Sequence, residues 1–187
     1  MKKILTILAL VSTVGISHGA AIDWNISGIN SALSNYDGTT AASTKIYLIL
    51  ADTSSLATIT DVADPTSFES ALSAITLTST AAGSDGKKPA VTSTTVESSL
   101  LTSGQSYTFG MMYMSTDTEG NGYYKIVTQT KTAYDTSDPS TSQAVGLSWA
   151  TMKSSSWTKG YTAAVPEPST AMLALAGLAL LIKRRRA

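Results

Sequence analysis

The 187-residue chain contains no cysteine, and its single histidine is His18. Without cysteine it forms no disulfide and offers neither a thiolate nucleophile nor a sulfur ligand. Because His18 lies within the first 21 residues, the remainder of the chain also lacks the commonest general base and the usual nitrogen ligand of zinc. Ser-His and Cys-His catalysis are thereby excluded from that remainder. Arginine is absent from residues 22–165, where seven lysines (Lys45, Lys87, Lys88, Lys125, Lys131, Lys153 and Lys159) face twelve carboxylates. A mildly acidic, arginine-free domain suits neither nucleic acid nor an anionic membrane, both of which call for clustered cations. Zero net charge over the whole chain therefore conceals a segregation, with the other cations gathered at the two ends.

What is present divides into three parts. At the N-terminus, Lys2 and Lys3 precede an apolar run from Ile4 to Ile16 and the small residues Gly19, Ala20 and Ala21. This is the layout of a secretory signal peptide, read here as residues 1–21. Cleavage after Ala21 places Gly19 at −3, whereas cleavage after Ala20 places His18 there. The small-residue rule therefore favours Ala21.

Residues 22–164 read as one β-rich domain. Ile22, Trp24 and Ile26 alternate with Asp23, Asn25 and Ser27, the period of a half-buried strand. Lys45 to Leu50 is apolar on both faces, as expected of a central strand covered on each side. Asp64-Pro65 opens a helix, because Asp suits the N-cap and Pro the first helical position. Phe68, Ala71, Leu72 and Ile75 then share one face. A strand is placed over Val91–Val96. Tyr107, Phe109, Met111 and Tyr113 alternate along the first arm of a hairpin, which turns through Asp117–Gly122 and returns to about Thr132. Asn121-Gly122 is its two-residue turn signal. Strands near Ala144–Ala150 and Ser156–Ala163 complete an antiparallel β-sandwich with one short helix.

Several stretches resemble chemistry without completing it. Asp117-Thr118-Glu119-Gly120-Asn121-Gly122 begins like a calcium loop, but position twelve is Thr128 where a bidentate carboxylate is needed. A hairpin turn accounts for the same residues. Ser84-Asp85-Gly86-Lys87 and Ser156-Trp157-Thr158-Lys159 match Ser-x-x-Lys, yet the companion motifs of that acyl-transfer chemistry are missing. Gly83 to Lys88 is no phosphate loop, since Ala81 and Lys88 occupy positions reserved for Gly and Ser/Thr. Asn25-Ile26-Ser27 is a glycosylation tripeptide of a kind frequent by chance. Twelve carboxylates leave a glycosidase pair open, though no spacing singles one out. Trp24, Trp149, Trp157 and the eight tyrosines suit either a sugar-stacking face or a sandwich core, and the core is the simpler home.

The tail reads Val165-Pro166-Glu167-Pro168-Ser169-Thr170, then an apolar block from Ala171 to Ile182, then Lys183-Arg184-Arg185-Arg186. Twelve apolar residues make ~18 Å of helix at 1.5 Å per residue, short of a hydrocarbon core of about 30 Å. The order of these parts resembles the PEP-CTERM protein-sorting signal. That resemblance implies recognition of Pro166, Glu167 and Pro168 by an exosortase, an integral-membrane processing enzyme of Gram-negative envelopes. It further implies transient membrane residence through 171–182, a cytoplasmic stop at Lys183, Arg184, Arg185 and Arg186, and release to the cell surface or matrix. The expectation is an exported, non-enzymatic surface or matrix protein associated with exopolysaccharide or biofilm. It needs no cofactor or metal, and no catalytic residue is assigned. A carbohydrate-binding or adhesion module is the alternative, and a carboxylate-dependent glycoside hydrolase the third.

Overall fold

Ile22, Trp24 and Ile26 point inward along β1 (Ala20–Ser27) while Asn25 and Ser27 stay exposed, so the alternation sets the buried face. The computed structural model describes residues 20–28, 30–87, 89, 92–135 and 144–163. The leader up to Gly19, the Pro166–Pro168 motif, the 171–182 block and the 183–186 stop lie outside the described residues.

Among the described residues nine strands form two sheets. The larger has the order β3 (Thr76–Ala81), β2 (Lys45–Leu50), β5 (Ser106–Thr116), β6 (Gly122–Thr132) and β9 (Thr158–Tyr161), all antiparallel. The smaller is built around β1, with β4 (Ser93–Ser98) and β7 (Tyr134–Asp135) antiparallel to it. β8 (Ala144–Ser148) runs parallel to β1, from Asp23↔Ala144 to Ser27↔Ser148, so the smaller sheet is mixed. Val145 and Leu147 alternate inward along the strand expected here, but a period of two specifies a face and carries no direction.

Two apolar layers hold the sheets. The first lies between them and packs Ile22, Trp24 and Ile26 against Ile46, Leu48, Phe109, Met111 and Tyr113, with Val145 and Leu147. The second lies on the far side of the larger sheet, where Ile49, Met112 and Tyr124 meet Phe68, Leu72 and Ile75. β2 feeds both layers, with Ile46 and Leu48 in one and Ile49 in the other, which is why its sequence is apolar throughout. The covering helix, α2 (Pro65–Ile75), is the one expected. Asp64 caps it by accepting from Ser67 N at 2.9 Å, and Phe68, Leu72 and Ile75 are its buried residues. Each such side chain taken from water adds about 1.5–3 kcal/mol.

Two further helices escape the one-helix expectation. α1 (Thr53–Thr58) has an Asp52 cap and no buried residue, so no apolar period announces it. α3 (Trp149–Ser154) replaces the end of the strand expected over 144–150. Ser148 accepts from Thr151 N and starts the turn, after which Trp149 and Met152, three apart, are buried together.

The β5–β6 hairpin pairs without interruption from Ser106↔Thr132 to Thr116↔Gly122, but its loop is not the expected Asn-Gly turn. Five residues, Asp117 to Asn121, make the connection, and the positive φ falls on Gly120 at 87°. Gly122 already belongs to the strand. Its lack of a side chain matters because the Tyr161 ring occupies the space a Cβ would need. No helix among the described residues is long and apolar enough to cross a membrane.

Candidate functional site

Tyr36 sits in a polar loop, Asn35 to Thr40, that three anchors in and just before it hold in place, one from α3 and two from the hairpin. The Trp149 indole Nε1 donates to Ser31 O at 2.9 Å, the Tyr113 hydroxyl donates to Ser34 O at 2.9 Å, and Tyr36 N donates to Ser115 Oγ at 2.9 Å. Beyond them Asp37 accepts from Thr39 N and from the Thr39 hydroxyl, closing the loop on itself. These bonds hold Asp37 below the usual carboxylate range, the side-chain bond to Thr39 contributing most.

So fixed, the Tyr36 ring stacks on Tyr123 with centroids 3.9 Å apart and planes at 16°. Trp157 meets Tyr36 edge-on at 5.8 Å and Tyr113 edge-on at 5.3 Å, linking the surface group to the core. Lys125 Nζ lies 5.1 Å from the Trp157 ring centre and donates to Lys153 O at 2.6 Å. Burial moves this lysine below its ordinary value. Tyr36 is 41% exposed, and Tyr123 and Trp157 are half-buried, so the three rings form a surface patch over a fixed base.

The hairpin loop supplies the polar edge of the patch. Asp117 accepts from Glu119 N, Asn121 N and Asn121 Nδ2, each at 2.9 Å, and Asn121 Oδ1 accepts from Ala163 N at 2.9 Å. The Asn121 side chain is the main cause of a lowered Asp117 carboxyl. Next to it the Tyr123 hydroxyl is pushed up to about 12, chiefly by hydrogen bonding with Tyr36, then by desolvation and nearby negative charge. The calcium-like segment is thus a turn organised around Asp117. Among the described residues no three His, Cys, Asp or Glu side chains gather as a metal-holding group.

Chemically, aromatic faces carry negative quadrupole charge and attract the C–H face of a pyranose ring, while hydroxyls and amides at the rim meet its hydroxyls. Of the tryptophans nominated from sequence, Trp24 and Trp149 are 1% and 0% exposed and belong to the core. Only Trp157 reaches the patch. Its partners Tyr36 and Tyr123 were not singled out, and the available signal was an aromatic residue directly beside each turn.

The other candidates do not assemble the chemistry their motifs suggest. Lys87 lies 3.9 Å from Asp85 and Lys159 3.5 Å from Asp61, so each Ser-x-x-Lys lysine faces a carboxylate instead of a serine to activate. Two cavities of about 360 and 270 Å³ open elsewhere. One carboxylate lines each: Glu69 between α2 and β2, and Asp52 beside Tyr107 and Thr130. Asp52 is occupied in capping α1 through Ser55 N. Hydrogen bonds to capping and turn donors lower Asp37, Asp52, Asp64 and Asp117, whereas a general acid needs a raised carboxyl. The cleavage candidates Ala20 and Ala21 both lie within β1.

Comparison with known proteins adds one match. Residues 164–187 match the family model described as the PEP-CTERM protein-sorting motif. No curated protein and no solved structure matches the chain. The motif match implies export, handling by an exosortase, and a membrane-held stage before the surface.

Proposed function

We propose that this chain, a carrier of the PEP-CTERM protein-sorting motif, is a non-enzymatic surface or extracellular-matrix protein that serves in an exopolysaccharide or biofilm layer. One observation carries the reading: the sorting motif at 164–187 follows a β-sandwich that has neither histidine nor cysteine. Proline's fixed φ and missing N–H oppose helix formation, a chemistry that suits the Pro166-Glu167-Pro168 motif to recognition by a processing enzyme. Lys183 to Arg186 act as the positive-inside stop. Glu167→Ala should leave full-length protein in the inner-membrane fraction. A variant with wild-type intact mass and surface location would overturn the assignment of this motif.

The second reading is glycan binding, favoured by the Tyr36–Tyr123 stack with Trp157 at its edge. Here the protein holds polysaccharide through the patch, with Lys125, Asp117 and Asn121 around it. In a glycan array, Tyr36→Ala and Trp157→Ala should each lower binding at least tenfold while the circular dichroism spectrum is retained. Unchanged binding by both variants would remove the patch from the account.

A further inference from the structure

The first strand of the fold begins inside the segment that sequence rules alone assign to the leader. Ala20 is 1% exposed and Ala21 0%, and Ala20 belongs to the apolar layer between the sheets. In register, Ala20 pairs with Ser98 and Ala21 with Glu97 on β4. On the other side they pair with Asp135 and Tyr134, and these two pairs are the β1–β7 ladder among the described residues.

Each possible cut therefore has a structural cost. Hydrolysis after Ala21 deletes both β7 pairs and two of the six β4 pairs, and removes a core residue. Hydrolysis after Ala20 deletes the Ala20↔Ser98 and Ala20↔Asp135 pairs and removes Ala20 from the apolar layer. It also leaves His18 at −3. Hydrolysis after Gly19 keeps every pair of β1 seen among the described residues and retains both buried alanines. That bond meets the small-residue rule as well, with Ser17 at −3 and Gly19 at −1.

We infer that the leader is cut at the Gly19–Ala20 bond, so that the mature protein begins with Ala20 as the first residue of β1. The inference rests on the export reading of the N-terminus. A membrane-bound signal peptidase of the exporting cell adds water across the amide. Gly19 of the released peptide takes the carboxylate, and Ala20 takes the α-ammonium.

The test is N-terminal sequencing and intact mass of the full chain after export from a Gram-negative host. A first residue of Ala20 is expected. A first residue of Ala21 or Ile22 would overturn the inference while leaving export intact. A chain still starting at Met1 would overturn both the cut and the leader reading beneath it. Two variants sharpen the result. Gly19→Val places a β-branched residue at −1 and should leave precursor uncut, whereas Ala21→Val lies at +2 and should be cut normally at Ala20. If Ala21→Val instead blocks processing, the cut lies after Ala21 and the inference fails.

Discussion

Two aromatic groups of similar composition meet at Tyr113 and experience opposite environments. Trp24, Phe109 and Trp149 lie between the sheets, almost without solvent contact. Tyr36, Tyr123 and Trp157 lie at the hairpin end, stacked on one another and open on one side. The first group is held by packing on every side. The second is held by loop anchors and ring geometry, so its removal costs less stability but alters the surface more. Residue type does not separate the two roles. Position relative to the hairpin loop does.

The sharpest way to break this comparison is to truncate one ring of each kind. Trp149→Ala should cost about 3–5 kcal/mol, since it leaves a core cavity and an unpaired Ser31 carbonyl. Trp157→Ala should cost less, about 0.5–1.5 kcal/mol for its ring contacts plus the smaller area that this half-buried ring packs against the core. Equal urea midpoints for the two variants would erase the distinction between core and patch. Gly122→Ala tests their common foundation. A Cβ there displaces the Tyr161 ring, and such overpacking should cost about 1–3 kcal/mol in the same denaturation series.

Alkaline pH reaches both groups in the same window, for different physical reasons. Burial raises the Tyr113 phenol to about 12, and Tyr123 reaches about 12 through Tyr36 and Asp117. The fold favours the neutral form, so this stability is complete below the ordinary tyrosine value of about 10 and is lost as pH rises toward 12. For buried Tyr113 the loss should approach about 1.4 kcal/mol per pH unit across that window. Tyr113→Phe should flatten the stability–pH curve, and an unchanged slope would refute the assignment. The smallest effect belongs to Lys125→Met. Removing the cation over Trp157 should cost about 0.5–1 kcal/mol and shift the indole fluorescence, while leaving Trp149 untouched.

How much of this was legible depended on whether a residue's role is local. Lys45–Leu50 showed its two buried faces through composition, and Asp64-Pro65 showed its cap through chemistry that acts within one helical turn. The 165–187 tail was legible because a sorting signal is recognised as a linear segment. By contrast, α3 is too short to establish a period, and the parallel direction of β8 leaves no mark on an alternating pattern. The Tyr36 patch was hidden for another reason. Tyr36 lies among polar turn residues, and its partners Tyr123 and Trp157 reach it only after the hairpin and β9 are in place.

The pairing of β1 has a consequence in time as well as space. Synthesis runs from the N-terminus, so this strand emerges before the others. Its partners β4 and β7 follow much later, and β8 later still. Until Ala144–Ser148 emerges, Ile22, Trp24 and Ile26 have no completed sheet against which to fold. Such non-local pairing is slow and exposes an unpaired edge to neighbouring chains. The order of synthesis therefore leaves the first strand short of its partners until nearly the last one arrives.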